Sequence, residues 1–90
     1  MTKHQSIEEI KKLINEKYFP LKLTIKDDSN KHSGHYEDSK QDKLTHVRII
    51  IHSKYFEKMK RIEKYRDVHD LLNNFLKSDL HSVSLKFLEE

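Results

Sequence analysis

The chain has 90 residues, enough for one small domain with a single core and little room for an internal substrate cavity. Hydrophobic residues make up 34% and charged residues 37%, and 18 Lys and Arg against 15 Asp and Glu leave a formal charge of only +3. That charge permits contact with nucleic acid without arguing for it, and the absence of Cys excludes disulfides, thiolate metal sites and Cys nucleophiles supplied by the chain itself.

Leu, Ile, Val and Phe together number 25 of the 90 residues, above the ~20% that marks disordered chains. No apolar run approaches the ~18–20 residues of a membrane span, and Met1-Thr2-Lys3-His4-Gln5 carries no apolar signal core. The expectation is one folded domain over residues 1–90, away from membranes, in a reducing compartment such as the cytoplasm. Seven His is the unusual count, because imidazole suits both proton transfer and metal ligation near neutral pH.

Ser6-Ile7-Glu8-Glu9 fits a capping box, and Ile7, Ile10, Leu13, Ile14 and Tyr18 follow at helical spacing. Phe19-Pro20 stops this amphipathic helix, since a residue before Pro is driven out of the α region. Leu21, Leu23 and Ile25 then alternate with Lys22, Thr24 and Lys26, the period of a half-buried strand. A long polar loop, 27–44, holds the only Gly of the chain.

Thr45 to His52 resumes the alternation with Val47, Ile49 and Ile51 on one face; Ile50 on the other face suggests a central strand. Ser53 caps a short helical turn through Met59. From Lys60 a longer helix presents Ile62, Tyr65, His69, Leu72 and Leu76, with Val68 and Phe75 widening the stripe. Lys77-Ser78-Asp79 reads as a turn, and His81, Val83, Leu85 and Phe87 share one face of a last strand. The order α-β-β-α-α-β implies an α+β domain, with helices on one side of a three-stranded sheet.

The densest polar cluster runs from Asp27 to His35, where His32 and His35 flank Ser33-Gly34. Two imidazoles at this spacing can bind metal or move a proton, yet a structural zinc site needs about four ligands, so a solvated loop is the simpler reading. His81, at the junction of the last turn and strand, reads as a half-buried residue at a core edge. His46 and His52 read as exposed strand residues, His69 as helix packing and His4 as part of a frayed terminus. Lys54, Lys58, Lys60, Arg61, Lys64 and Arg66, with Tyr55 and Tyr65 interleaved, offer phosphate contacts in a helix-turn-helix-like outline. The plainer alternative is a solvated helix face paired with Glu57 and Glu63. Ser29, His32 and Asp28 are acyl-transfer residue types without triad geometry, and Asp27 and Asp28 point apart, so no enzyme is expected.

Together these residues resemble the BolA family. The likeness runs through Leu23-Thr24-Ile25, Asp28-Ser29, His32, Gly34 and His35, then Thr45-His46-Val47-Arg48-Ile49 and Ser53-Lys54-Tyr55-Phe56. It ends in Tyr65-Arg66, Leu71-Leu72 and His81-Ser82-Val83, covering about residues 6–88. Tyr65 stands where the family usually has His, Val47 where it has an aromatic, and Asp42-Lys43-Leu44 where it often has glycines.

The resemblance implies a class II KH-like fold and a non-enzymatic partner of a monothiol glutaredoxin. The pair would share a bridging 2Fe–2S cluster, in iron–sulfur assembly, trafficking or iron sensing. The glutaredoxin side would supply a Cys and a glutathione thiol. By position His81 would be one metal ligand of this chain, and His32 the other, with His35 the alternative. No cluster is expected on the isolated chain, which would be a monomer or weak homodimer. The runner-up is a nucleic-acid-binding transcriptional regulator, although the GXXG loop of KH domains is missing. A small hydrolase or reductase has no supporting constellation.

Overall fold

The computed structural model describes residues 2–29 and 43–89. The expected α-β-β-α-α-β order is present. Helix α1 (Lys3–Tyr18) starts one turn before the expected Ser6 box. Thr2 Oγ1 accepts the Gln5 amide at 3.1 Å, and Gln5 Oε1 accepts the Thr2 amide at 2.9 Å. Thr2 and Ser6 each precede Glu or Gln by three residues, so the motif occurs twice and the earlier copy caps the helix. Ser6 is buried inside α1, and His4 lies exposed in its first turn rather than at a frayed end.

Ile10, Ile14 and Tyr18 form the buried stripe of α1. The helix ends at Phe19, which adopts φ 45°, ψ 57° and returns its amide to the Asn15 carbonyl at 3.2 Å. This left-handed conformation is the ordinary C-terminal cap, but Gly is the residue that takes it without strain. Pro20, which has no amide proton, then prevents continuation.

Strands β1 (Lys22–Asp27), β2 (His46–His52) and β3 (Ser82–Phe87) form one sheet in the order β1-β2-β3. β1 pairs antiparallel with β2, placing Ile25 opposite Ile49, and β2 pairs parallel with β3, placing Ile49 beside Leu85. β2 is therefore central, as Ile50 suggested. Val47, Ile49, Ile51 and Leu85 are buried on the helix-covered face, while the even-numbered residues form the other face.

Ser53 terminates β2 and caps a 3-10 turn (Lys54–Phe56), accepting the Tyr55 amide at 3.1 Å. Its hydroxyl also donates to the Tyr18 carbonyl at 2.6 Å, tying the end of α1 to the end of β2. Tyr18 in turn donates its hydroxyl to Asp67 Oδ2 at 2.7 Å, and Lys17 meets Asp67 Oδ1 at 3.2 Å. Burial first, and the Asp67 carboxylate second, push the Tyr18 phenol well above its ordinary value.

The single long helix expected from Lys60 is instead two. Helix α2 (Arg61–Leu71) breaks at Leu72, with φ −95° and ψ 12°, before α3 (Asn73–Leu76). Val68 and Leu72 are buried, with Tyr65, Leu71 and Phe75 packed beside them. The expected stripe was out of phase on its outer side: Ile62 is 55% exposed and His69 is exposed. A break without Gly or Pro lets Leu72 reach the core while the chain turns toward β3.

Phe19 is 79% exposed, so its side chain contributes little packing against the cost of a left-handed backbone. Phe19→Gly is expected to stabilise the fold by about 0.5–1 kcal/mol, relief of strain outweighing the entropy of a more flexible unfolded chain. A urea midpoint equal to or below wild type would show that the Phe19 conformation costs nothing.

Candidate metal-binding site

Topology gathers three chain segments at one end of the sheet. Because β1 is antiparallel to β2, the end of β1 lies beside the start of β2. Because β3 is parallel to β2, the residues entering β3 arrive at the same end. Ser29, Thr45, His46 and His81 meet there although they are distant in sequence.

Ser29 fastens the first two segments. It is 7% exposed, and its hydroxyl accepts the amides of Thr45 at 2.9 Å and His46 at 3.2 Å. Its own amide donates to Asp27 Oδ1 at 2.9 Å. A buried hydroxyl committed to backbone is a staple, so Ser29 is not placed as a nucleophile. Burial raises the pKa of Asp27, but the Ser29 hydrogen bonds and Lys3, 3.4 Å away, outweigh it and leave the pKa below the ordinary value. Asp28 faces the other way and pairs with Arg48 at 3.1 Å, so the two carboxylates do point apart.

Thr45 fastens the third segment. Its carbonyl accepts the His81 amide at 2.7 Å and the Ser82 amide at 3.3 Å. Its hydroxyl meets His46 Nδ1 at 3.0 Å. The His46 and His81 rings stand with centroids 6.2 Å apart and planes inclined by 56°. His81 is exposed rather than half-buried, and its backbone alone is tied down. His32 and His35 lie outside the described residues. Among the described residues no three His, Cys, Asp or Glu side chains gather as a metal site.

Of the six cations proposed for nucleic acid, Lys54 and Lys64 line one shallow groove and Arg61 and Lys64 line the next. Lys54 sits in the 3-10 turn, a single turn too short to serve as the first helix of a helix-turn-helix. The Lys60 amide donates to Glu63 Oε1 at 2.7 Å. Arg61 stacks 5.8 Å from the Tyr65 ring centroid, and Lys64 lies 3.7 Å from Glu89. Arg61 and Lys64 share a shallow groove with Lys86 and Glu89 at the opposite end of the sheet from His81. Lys58 and Arg66 are exposed.

The site residues that sequence reasoning passed over are Thr45, His46 and Ser29. Their signal lies in the parallel pairing that a helical crossover between β2 and β3 requires. Reading each strand alone leaves His46 as an ordinary exposed residue.

A model for BolA-like proteins matches residues 14–90. The chain belongs to the BolA-like family. It is 37% identical over 67 residues to BOLA1, chloroplastic, of Arabidopsis thaliana, covering 73% of this chain and 42% of that protein. It is 30% identical over 79 residues to an uncharacterised protein of Sinorhizobium sp, covering 88% and 85% of the two chains. Among solved structures, BolA1 from Arabidopsis thaliana superposes with a TM-score of 0.81 at 31% identity, over 89% of this chain and 86% of that one. The BolA domain of SufE1 from the same plant follows at 0.78 and 30%, with 89% and 86% covered. The chain thus spans less than half of the plant BOLA1 sequence while matching nearly all of the BolA fold. Among the described residues no helix is long and apolar enough to cross a membrane.

The staple can be tested directly. Ser29→Ala removes the acceptor of two half-buried amides and should cost about 1–3 kcal/mol in urea unfolding at neutral pH. It also removes help to the Asp27 carboxylate, whose lowered folded pKa contributes stability above its unfolded value and loses it as pH falls through the folded value. The gap between wild type and Ser29→Ala should therefore narrow on acidification below about pH 4. A gap that widens there would mean that Asp27 does not depend on Ser29.

Proposed function

We propose that this chain is a non-enzymatic adaptor that shares a bridging 2Fe–2S cluster with a monothiol glutaredoxin, in cluster assembly, trafficking or iron sensing. The observation that carries this reading is the position of His81: exposed at the open end of the sheet, its backbone pinned by Thr45 beside the residue where the long loop begins. His32 follows Ser29 by three residues in the sequence. His32 and His81 are the proposed ligands, with His35 the alternative to His32. Family membership and a BolA domain within a SufE-like protein of Arabidopsis are in keeping with iron–sulfur work.

The donor chemistry fits. A chain without Cys offers iron nitrogen and oxygen donors but no thiolate, so on this reading the thiolates come from the glutaredoxin Cys and from glutathione. Bound there, the cluster would supply a one-electron redox couple, less negative and higher in potential with two neutral imidazoles in place of two thiolates on one iron. The rigid sheet end orients His81, while the loop brings the second nitrogen. Imidazole binds metal only when deprotonated, so acidification weakens the hold, which suits transfer better than permanent storage. A cytoplasmic setting, away from membranes, and a monomer or weak homodimer in the free state belong to the same proposal.

Mixing the chain with a cluster-loaded monothiol glutaredoxin should change the visible absorption, and His81→Ala should remove the change. His32→Ala compared with His35→Ala assigns the loop ligand. Spectra with sulfur at all four cluster positions of the mixed complex would end the reading.

A second reading, a nucleic-acid-binding regulator, draws on Arg61, Lys64 and Lys86 converging on one groove. It predicts salt-dependent duplex binding that Lys60→Glu, Arg61→Glu and Lys64→Glu together abolish. Undiminished binding in that triple variant would remove the helix surface from consideration.

A further inference from the structure

We infer that the uncovered face of the sheet docks an acidic protein surface with an aliphatic centre. The inference stands apart from the cluster reading, because it uses none of the proposed ligands.

The first argument is charge. The even-numbered residues of β1, β2 and β3 make this face, on the side away from the core. Lys22, Lys26, Arg48 and Lys86 belong to it, and none of these strand positions holds Asp or Glu. Lys22, Lys26 and Lys86 are exposed, and among the described residues no ion pair ties any of them to an acid. Asp28, just past β1, meets Arg48 at 3.1 Å and leaves 42% of that side chain exposed. On α1, by contrast, Lys11 meets Glu8 at 3.3 Å and Lys17 meets Asp67 at 3.2 Å.

The second argument is register. Lys26 stands directly opposite Arg48 across the antiparallel pair. Like charges opposite one another weaken a sheet, so stability of the chain alone gives no reason for this row. A carboxylate brought from outside between Lys26 and Arg48 turns the repulsion into two attractions. The next row is Thr24, Ile50 and Lys86. Ile50 is the one apolar side chain among these strand positions, half-buried on the central strand with the cations around it.

The third argument selects the partner. Protein interfaces put apolar contact at the centre and charge at the rim, and Ile50 within its ring of cations follows that plan. Single-stranded nucleic acid stacks its bases on aromatic rings, and these strand positions hold no Phe, Tyr or Trp. A duplex major groove about 12 Å wide takes a helix or a two-stranded ribbon, whereas three strands make a face about 14 Å across. With strands about 20 Å long the face is small, so the contact is weak and readily reversed.

The probe is a short peptide of alternating Glu and Leu, titrated into the free chain while backbone amide shifts are followed. Shifts should gather at Thr24, Lys26, Arg48, Ile50 and Lys86, and binding should weaken as salt is raised. Lys22→Glu with Lys26→Glu should lower affinity at least about 10-fold. Lys12→Glu, on the exposed side of α1, should lower it less than about twofold. A peptide of alternating Glu and Ser should bind about fivefold more weakly, and Ile50→Ser should erase that difference. Far-ultraviolet circular dichroism confirms that each variant is folded before its titration is read. No shift on this face at millimolar Glu-Leu peptide overturns the inference, whatever the glutaredoxin mixture shows. Duplex DNA that shifts the same residues at lower concentration than the peptide gives the face to phosphates and overturns it too. A glutaredoxin mixture without spectral change, alongside peptide binding lost in Lys22→Glu with Lys26→Glu, overturns the cluster reading and leaves this one standing.

Discussion

The parallel pairing of β2 with β3 is the constraint on which the rest of the molecule depends. A parallel neighbour cannot follow by a tight turn, so the chain must return the full length of β2 before pairing again. The 3-10 turn, α2 and α3 make that return, and Val68 and Leu72 bind it to the sheet by burial against the core. Each such buried side chain contributes about 1.5–3 kcal/mol relative to exposure. The payoff is positional: His81 enters β3 beside the residue that opens β2, and the Thr45 carbonyl takes the amides of both His81 and Ser82. Core packing on one face thus sets the geometry of polar residues at the sheet end.

The chemistry is divided between the two ends of the sheet. His46, His81, Ser29 and Asp28 occupy one end, while Arg61, Lys64 and Lys86 converge on the other. A strand of the length of β2 separates them by about 20 Å. That is about twice the Debye length at physiological salt, so charge at one end has little influence on binding at the other. The proposed metal ligation and the proposed anion binding would therefore not be rival uses of one surface. Each can be removed by substitution without touching the other.

Much of this was legible in the chain itself. Alternation from Thr45 to His52 gave the strand and its buried face, Ile50 on the other face gave its central place, and Phe19-Pro20 marked the end of α1. The helix start was not legible, because Thr2 and Ser6 carry the same capping chemistry and either start leaves Ile10, Ile14 and Tyr18 on one face. The break at Leu72 has no Gly or Pro to announce it. It is imposed by the core, which claims Leu72 and leaves Ile62 and His69 outside. The candidate site was half legible: family likeness singled out His81, but His46 becomes visible only once two strands are placed side by side.

Ligand placement has a consequence for how firmly metal can be held. On the proposed cluster reading, one nitrogen stands on an ordered sheet end and the other comes from a separate stretch of the chain, so binding must bring two donors together at a cost in conformational freedom. The ordering cost lowers affinity without lowering selectivity, since the donors that engage are unchanged. Nitrogen donors from this chain bring no thiolate to such a cluster. Retention must then come from sulfur outside the chain. On that reading the chain would hold a cluster firmly only while a thiol-bearing partner is present and would release it when the partner leaves, which is the behaviour a transfer adaptor needs and a storage protein must avoid.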